Sequence, residues 1–384
     1  MAVDNLRPTI LHLFIGSVPG GVLRYVVDIA EASVAAGQTV VLAGQKGDWH
    51  SLVERASLPW LEIPIRGGVL DLWRSSRLVA DLVRKRGVGV IHAHHRRATL
   101  VARVVQWQLR NEQRLPILYT LHAINMPMGI PWRWLSSFGD HCHAPSVVAR
   151  RWLVDIAKID ENAITVIPHG VHPERFPRTD INRRHAAREF LHLPQHAPVA
   201  AFVGRLDDPK NEAWVVGLAA ECRRRGMDVR FLIAGDGPNR TILEQQIKGL
   251  GLEDRVKMLG ECDPVKAYHA ADLLVSPSSH EGFSYVCAEA MCCGVPVLRT
   301  RTGGTEEMVV ENVTGRSCPI DREAFIAAGV EMLQQPERLA EMGMLAARHV
   351  RKELTFDRQA SETLGLYRRL HAPPTPANAA RGAS

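Results

Sequence analysis

Short apolar runs alternate with stretches of helical periodicity along almost the whole chain. In the first half the runs Thr9–Ile15, Thr39–Ala43, Val88–His92 and Ile117–Thr120, with a later one at Ala163–Ile167, read as strands bounded by turn residues. Between them, Leu23–Ala36, Leu72–Arg86 and Ala98–Arg110 repeat apolar residues every three or four positions, the pattern of a helix with one buried stripe. The second half repeats the scheme. Strands are predicted at Val199–Val203, Val229–Ala234, Val256–Leu259, Leu273–Ser276 and Val295–Thr300, and helices at Glu212–Arg225, Arg240–Leu250, Pro264–Ala271 and Val286–Cys293. Such alternation predicts βαβ units and parallel sheets, so each half reads as an α/β, Rossmann-like doubly wound domain.

The expected division is residues 1–178 for the first domain and 196–355 for the second. The polar, proline-bearing stretch His172–Pro198 reads as the linker. A helical pattern at 356–371 follows the second domain, and the Pro/Ala-rich tail 372–384 has no apolar face to bury and is expected to be disordered.

Composition narrows the classes. Hydrophobic residues make up 46% and charged residues 23%, enough for two ordinary cores. No run of eighteen apolar residues suggests a membrane span, and Thr9–Ile15 leads into Gly16-Ser-Val-Pro-Gly20-Gly21, a strand-to-helix turn rather than a leader cleavage site. Seven cysteines without a zinc or redox spacing read as reduced thiols, which points to the cytoplasm. The formal charge of +6 fits a nucleic acid, an anionic membrane surface or a phosphorylated small molecule. The basic clusters Arg84-Lys85-Arg86, Arg96-Arg97 and Arg223-Arg224-Arg225 lack the interleaved aromatics of a single-strand binder, so no nucleic-acid partner is expected.

Open α/β sheets bind ligands beyond the carboxyl ends of their strands, and the unusual residues fall there. Glu281-Gly-Phe-Ser-Tyr-Val-Cys-Ala-Glu289 follows the run Leu273–Ser276 and leads into a helix. Its two carboxylates can accept from sugar and ribose hydroxyls, and the amides of Gly282, Phe283 and Ser284 open the helix where an anion would sit. The plain alternative is two unrelated glutamates on an amphipathic segment. In Gly204-Arg205-Leu-Asp-Asp-Pro-Lys210, two cations five apart follow a strand and can grip a diphosphate, Arg as a fork and Lys as a point charge. The alternative there is solvated charge at a helix start. Three glycine turns (Gly16–Gly21, Gly235-Asp-Gly237 and Thr302-Gly-Gly-Thr305) would let backbone approach a ligand, or serve as ordinary tight turns.

Taken in order, the Gly-Gly loop, Gly-Arg-Leu-x-x-x-Lys, Ala-Gly-Asp-Gly-Pro, Glu-x7-Glu and Thr-Gly-Gly-x-x-Glu resemble glycosyltransferase family 4, from Gly20 to the helix near Tyr367. The resemblance implies the GT-B fold, two Rossmann-like domains facing across a cleft, with a C-terminal helix crossing back to the first domain. It implies a retaining transferase that takes a UDP- or GDP-sugar as donor and needs no cofactor. Catalytic roles fall on Glu281, His122, Arg205 and Lys210. Donor binding falls on Gly20, Gly21, Gly204, Arg205, Lys210, Gly235, Gly282, Phe283, Ser284 and Glu289.

No Asp-x-Asp triplet occurs in the chain, so the cations Arg205 and Lys210, and no metal, are expected to balance the diphosphate. His122 in Thr120-Leu-His122 is expected to line the acceptor side. His92-Ala-His94-His95 could chelate a metal, but structural or acceptor-lining roles are the favoured reading. His169 and His172 stand where the family has Asn and Asp, which argues against a ligand role there. The apolar stretch Ile124–Leu135, with Trp132, Arg133 and Trp134, either packs on the core or meets a membrane interface. With the basic charge it suggests a glycan or lipid-linked acceptor, such as lipopolysaccharide, and peripheral contact with the inner membrane face. The rivals are a sugar-nucleotide epimerase of the same fold and a non-catalytic carbohydrate-binding protein.

Overall fold

The computed structural model describes residues 7–17, 21–48, 50–124, 128 and 136–373. Seven strands form one parallel sheet: β1 (Thr9–Leu13), β2 (Val40–Gly44), β3 (Trp60–Glu62), β4 (Val88–Ala93), β5 (Ile117–Thr120), β6 (His141–Ala144) and β7 (Ile164–Val166), in the order β3-β2-β1-β4-β5-β6-β7. Six form the second: β8 (Val199–Val203), β9 (Arg230–Ala234), β10 (Val256–Gly260), β11 (Leu273–Ser276), β12 (Val297–Thr300) and β13 (Gly315–Cys318), in the order β10-β9-β8-β11-β12-β13. Both orders run outward from the first strand and then reverse, the doubly wound pattern, with the reversal between β1 and β4 in one sheet and between β8 and β11 in the other.

Central strands such as β2, β4 and β11 are buried at every residue, as parallel strands covered by helices on both faces must be. Along β8 the side chains alternate. Val199 and Ala201 pack with Met291 and Leu354 on one face, while Ala200 and Phe202 pack with Leu218 and Phe325 on the other.

The chain divides into two compact units, one around each sheet. The first takes the described residues up to Pro145, Ala149–Ile167 and the chain from Gln359 on; the second takes Ser146–Val148 and Pro168–Arg358. The last helix, Phe356–His371, thus gives most of its length to the first unit, where the Tyr367 hydroxyl meets His92 Nδ1 at 2.7 Å and Arg114 donates to the Leu370 carbonyl. Gly89 is required there, because a Cβ would lie 2.7 Å from the His371 ring.

The stretch read as a linker is not a free connector. Asp180 caps a helix at Ile181–Phe190, and its Arg188 is buried, donating to Asp272 Oδ2 at 2.7 Å and to the carbonyls of Ala270 and Ala197. Asp272 also accepts from the Val199 N–H, so one carboxylate fastens this helix to the start of β8. Three short strands (β3, β6 and β13) and the helices Arg322–Leu333 and Pro336–Glu353 complete the two layers beyond the elements expected from the pattern. Tail residues 374–384 lie outside the described residues, as do Gly20 and most of Ile124–Leu135, including Trp132, Arg133 and Trp134.

Candidate active site

Lys210 and Glu281 are the residues that the reversal in the second sheet brings together. Lys210 ends a 3-10 turn after β8 and Glu281 lies in the loop after β11; Lys210 Nζ is 2.6 Å from Glu281 Oε1, with both side chains largely covered. Two further bonds sew the same loops: Ser279 N–H to the Pro209 carbonyl at 2.8 Å, and Asn211 Nδ2 to the Pro277 carbonyl at 2.9 Å. Asn211 takes a left-handed φ of 50°, a conformation asparagine tolerates, while its side chain supplies the tether to Pro277.

Arg205 extends from the same β8 loop and is 66% exposed, with Nε 3.1 Å from Asp207 Oδ2. Each of the two cations therefore has a carboxylate partner in this structure. Their four charges sum to zero, and the edge also presents backbone N–H groups.

Those N–H groups lie at the start of the helix Tyr285–Cys293. Ser284 sits at its N-cap, and the Ser284 hydroxyl is buried with no hydrogen-bond partner among the described residues. A buried hydroxyl left unbonded is costly, and a ligand oxygen would satisfy it. Phe283 is buried and meets His169 edge to face at 5.4 Å; His169 in turn stacks on Tyr285 at 5.0 Å. His169 is thus a packing residue of this loop. Glu289, one face further along the helix, is buried and accepts from the Tyr268 hydroxyl at 2.8 Å, while burial and the Glu289 charge push the Tyr268 phenol well above its usual pKa.

The glycines interlock these loops. A Cβ on Gly235 would lie 1.8 Å from the Gly204 carbonyl oxygen, and one on Gly237 2.4 Å from that of Leu206. Gly204 and Gly235 both have positive φ, and the Gly204 N–H donates to the Ala234 carbonyl at 3.0 Å. Gly235 accordingly serves loop-to-loop contact. Gly303 does the same for the Glu281 loop: its N–H donates to the Glu281 carbonyl at 3.0 Å, and a Cβ would meet the carbonyls of Glu281 and Gly282. The fully buried Arg299 holds that turn through Thr302 Oγ1 and the Gly303 carbonyl. Glu307, the last residue of the Thr-Gly-Gly-x-x-Glu pattern, accepts from the Val147 N–H at 2.6 Å, and burial raises its carboxyl pKa.

The first unit carries a different constellation. His12 on β1 and His92 on β4 are register partners, as are Thr120 on β5 and His143 on β6. His92 Nε2 lies 2.6 Å from Thr120 Oγ1, which lies 3.0 Å from His143 Nδ1, and His143 Nε2 is 2.8 Å from the Ile167 carbonyl oxygen. Tyr25 and Tyr367 close the layer from two helices. A second chain joins His12 Nδ1 to His94 Nε2 at 3.0 Å and His94 Nδ1 to His122 Nε2 at 3.2 Å, bringing the order to the half-buried His122 just beyond β5. Burial holds these rings neutral: His12 and His122 are pushed down to about 3 and His143 to about 4, with His92 and His94 well below the usual value. For His122 the neighbouring imidazoles add to the effect.

His12, His92 and His94 offer nitrogens within 4.8 Å of one another, close enough to converge on a cation. Hydrogen bonds already engage five of their six ring nitrogens, and His12 Nε2 is buried without a partner among the described residues. The geometry is that of a hydrogen-bonded layer. Gly21 opens the helix Gly21–Ala35 and is exposed; Gly20 before it lies outside the described residues.

Sequence reasoning named both members of the Lys210–Glu281 and His94–His122 contacts, but missed Tyr268 as the partner of Glu289, Asp207 as that of Arg205, His12 as that of His94 and His143 as that of Thr120. The histidines did leave a signal, since β1, β4 and β6 each carry one near the carboxyl end.

Two family profiles match the chain, Glycosyltransferase Family 4 over residues 19–175 and Glycosyl transferases group 1 over residues 183–349. The chain belongs to the family 4 glycosyltransferases. It is similar to the D-inositol 3-phosphate glycosyltransferase of Corynebacterium glutamicum, 27% identical over 364 residues, covering 86% of this chain and 80% of that one. Two crystal structures share the GT-B fold. A glycosyltransferase from Rickettsia africae matches with a TM-score of 0.85 at 20% identity, covering 96% of this chain and all of that one. Anabaena HepE in complex with UDP matches at 0.81 and 23%, covering 93% and 99%. This glycosyltransferase therefore has the two-sheet α/β architecture expected from its sequence.

Proposed function

We propose that this glycosyltransferase takes its sugar from a UDP- or GDP-sugar bound at the carboxyl edge of the second sheet, and transfers it with retention and without a metal. The reading is carried by the Lys210–Glu281 pair, set at the strand-order reversal beside a helix N-terminus with a buried, unbonded serine hydroxyl. Arg205 and Lys210 would contact the diphosphate, helped by the amides of Gly282, Phe283 and Ser284. Glu289 would take ribose hydroxyls while Tyr268 fixes its carboxylate. Glu281 would touch the transferred sugar, its orientation set by Lys210. The UDP complex of HepE supports a nucleotide donor of this kind.

As the bond from the anomeric carbon to the diphosphate breaks, negative charge grows on the leaving oxygen. Lys210 and Arg205 stabilise that charge, and the leaving phosphate takes the proton of the acceptor hydroxyl on the same face. The diphosphate then departs as the acid form and the anomeric configuration is kept. His122, neutral and tied to His94, would hydrogen-bond the sugar or acceptor without carrying charge.

For the acceptor we propose a glycan or lipid-linked molecule such as lipopolysaccharide, met by a cytoplasmic enzyme peripheral to the inner face of the membrane. No helix among the described residues is long and apolar enough to cross a membrane. Because similar enzymes are named for inositol 3-phosphate, the test pairs both acceptor types with each donor in the presence of EDTA. Product bearing the donor's anomeric configuration is expected. An inverted product, or turnover that EDTA abolishes and manganese restores, would contradict the mechanism.

A further inference from the structure

The segment Arg66–Arg86 in the first unit has a surface that its own fold does not use. Helix Val69–Arg86 buries Ser75, Ser76, Val79, Ala80 and Val83 against the sheet. Its first turns instead leave Val69 71%, Leu70 79% and Trp73 45% exposed. Arg66, Arg74 and Arg77 flank these residues in the chain, all three exposed. Counted over residues 66–86 there are six cations and two carboxylates, a net +4 of the chain's +6. Arg84 is engaged by Glu112 and Asp81 at the far end of the helix, whereas Arg77 has no ion-pair partner among the described residues. Arg74 lies 3.9 Å from Asp71 in a loose pair that leaves its side chain 76% exposed, so apolar side chains and solvent-facing guanidinium groups share one tip.

The place of that tip matters. Residues 63–68 lead from the carboxyl end of β3 into the helix, and Arg97 donates to the carbonyls of Ile65, Gly67 and Gly68. Arg97 lies just after His94 and His95 at the carboxyl end of β4. The exposed tip therefore stands at the same edge of the first sheet as His94 and His122.

We infer that this tip docks on an anionic lipid surface, with Val69, Leu70 and Trp73 entering the headgroup region and Arg66, Arg74 and Arg77 contacting lipid phosphates. Tryptophan with arginine at an amphipathic helix end suits that boundary, and basic groups near an anionic leaflet add attraction that salt screens. Docking in this way would hold the acceptor edge of the sheet at the membrane, where a lipid-linked sugar hydroxyl is presented. The inference rests on the proposed function only in naming a lipid-linked acceptor.

The test is co-sedimentation of the full chain with phosphatidylglycerol/phosphatidylcholine vesicles and with phosphatidylcholine alone, at low and high salt. The proteins compared are wild type, Leu70→Ser/Trp73→Ser and Arg74→Gln/Arg77→Gln. Wild type should pellet with the anionic vesicles at low salt. The arginine pair should weaken partition by roughly 30-fold, at about 1 kcal/mol per cation, and the apolar pair should abolish it. Equal partition of all three proteins, or pelleting indifferent to lipid charge and salt, would overturn the inference. So would a wild-type dimer in solution that the Leu70→Ser/Trp73→Ser change dissociates, since a second copy would then occupy the tip. Nucleotide-sugar binding measured on the same proteins keeps the two readings apart: a wild type that binds donor but pellets with no vesicle refutes only the docking surface.

Discussion

Acidification should attack the first unit through its buried imidazoles. His12 and His143 are completely buried in the native state, and burial holds them down to about 3 and about 4. Unfolded, each returns to a pKa of about 6.5. The unfolded chain then binds protons that the native one refuses. Stability present above about pH 6.5 is therefore lost progressively as pH falls toward the native values. The slope is about 1.4 kcal/mol per imidazole per pH unit. Between about pH 7.5 and pH 5 these two groups together should remove roughly 4 kcal/mol, a large part of the 5–15 kcal/mol typical of a domain. His92 and His94, also buried and shifted the same way, steepen the loss. The assay is urea unfolding followed by circular dichroism across that range, with His143→Gln beside wild type. The variant should start less stable, having lost bonds to Tyr25, Thr120 and the Ile167 carbonyl, but lose less on acidification. A wild-type stability that stays level from about pH 7.5 to pH 5, or a variant with the same slope, would refute the reasoning.

Two substitutions test the loop after β9 as a packing object. Gly235→Ala drives a Cβ to 1.8 Å from the Gly204 carbonyl oxygen at a φ of 142° and should cost several kcal/mol, about 3 or more, lowering Tm or preventing soluble expression. Gly249→Ala, at a helix position with nothing near its Cβ, should instead be neutral or raise stability by about 0.4–1 kcal/mol, and equal effects would contradict the close-approach argument. Tyr268→Phe leaves the buried Glu289 carboxylate short of a donor. It should cost about 1–3 kcal/mol in urea unfolding and weaken donor binding; unchanged stability would mean that the bond is not formed in solution.

The sheets were legible because parallel strands buried on both faces read as apolar runs; β5, β8 and β11 begin and end where the pattern ends. What escaped has a physical reason in each case. β6 reads His-Cys-His-Ala, polar to a hydropathy scan, and is buried only because Thr120, Tyr25 and the Ile167 carbonyl satisfy His143. β3 is a three-residue edge strand. Helix Ile181–Phe190 looked like a linker because its two buried residues are a small alanine, Ala187, and an arginine, and the Asp272 that neutralises Arg188 lies far along the chain. Helix Pro336–Glu353 did carry its signal, with Leu339, Met342, Gly343, Ala346, Ala347 and Val350 at helical spacing, but small residues weaken that stripe.

The site divided in the same way. Spacing pointed to Lys210 and Glu281 separately, and strand order joins them. Asp207, which pairs with Arg205, was two residues away in the sequence, yet nothing in the spacing showed that the two cations would each be matched by a carboxylate.

The central claim is that the loops after β8 and β11 hold a nucleotide-sugar diphosphate. The direct measurement is thermal shift with a panel of UDP-, GDP- and ADP-sugars in metal-free buffer, for wild type and Arg205→Ala/Lys210→Ala. A donor at about 100 times its Kd should add roughly 2.7 kcal/mol to wild-type stability, and the double variant should lose that gain with its own fold intact. A gain that survives in the double variant would place the diphosphate elsewhere and contradict the account.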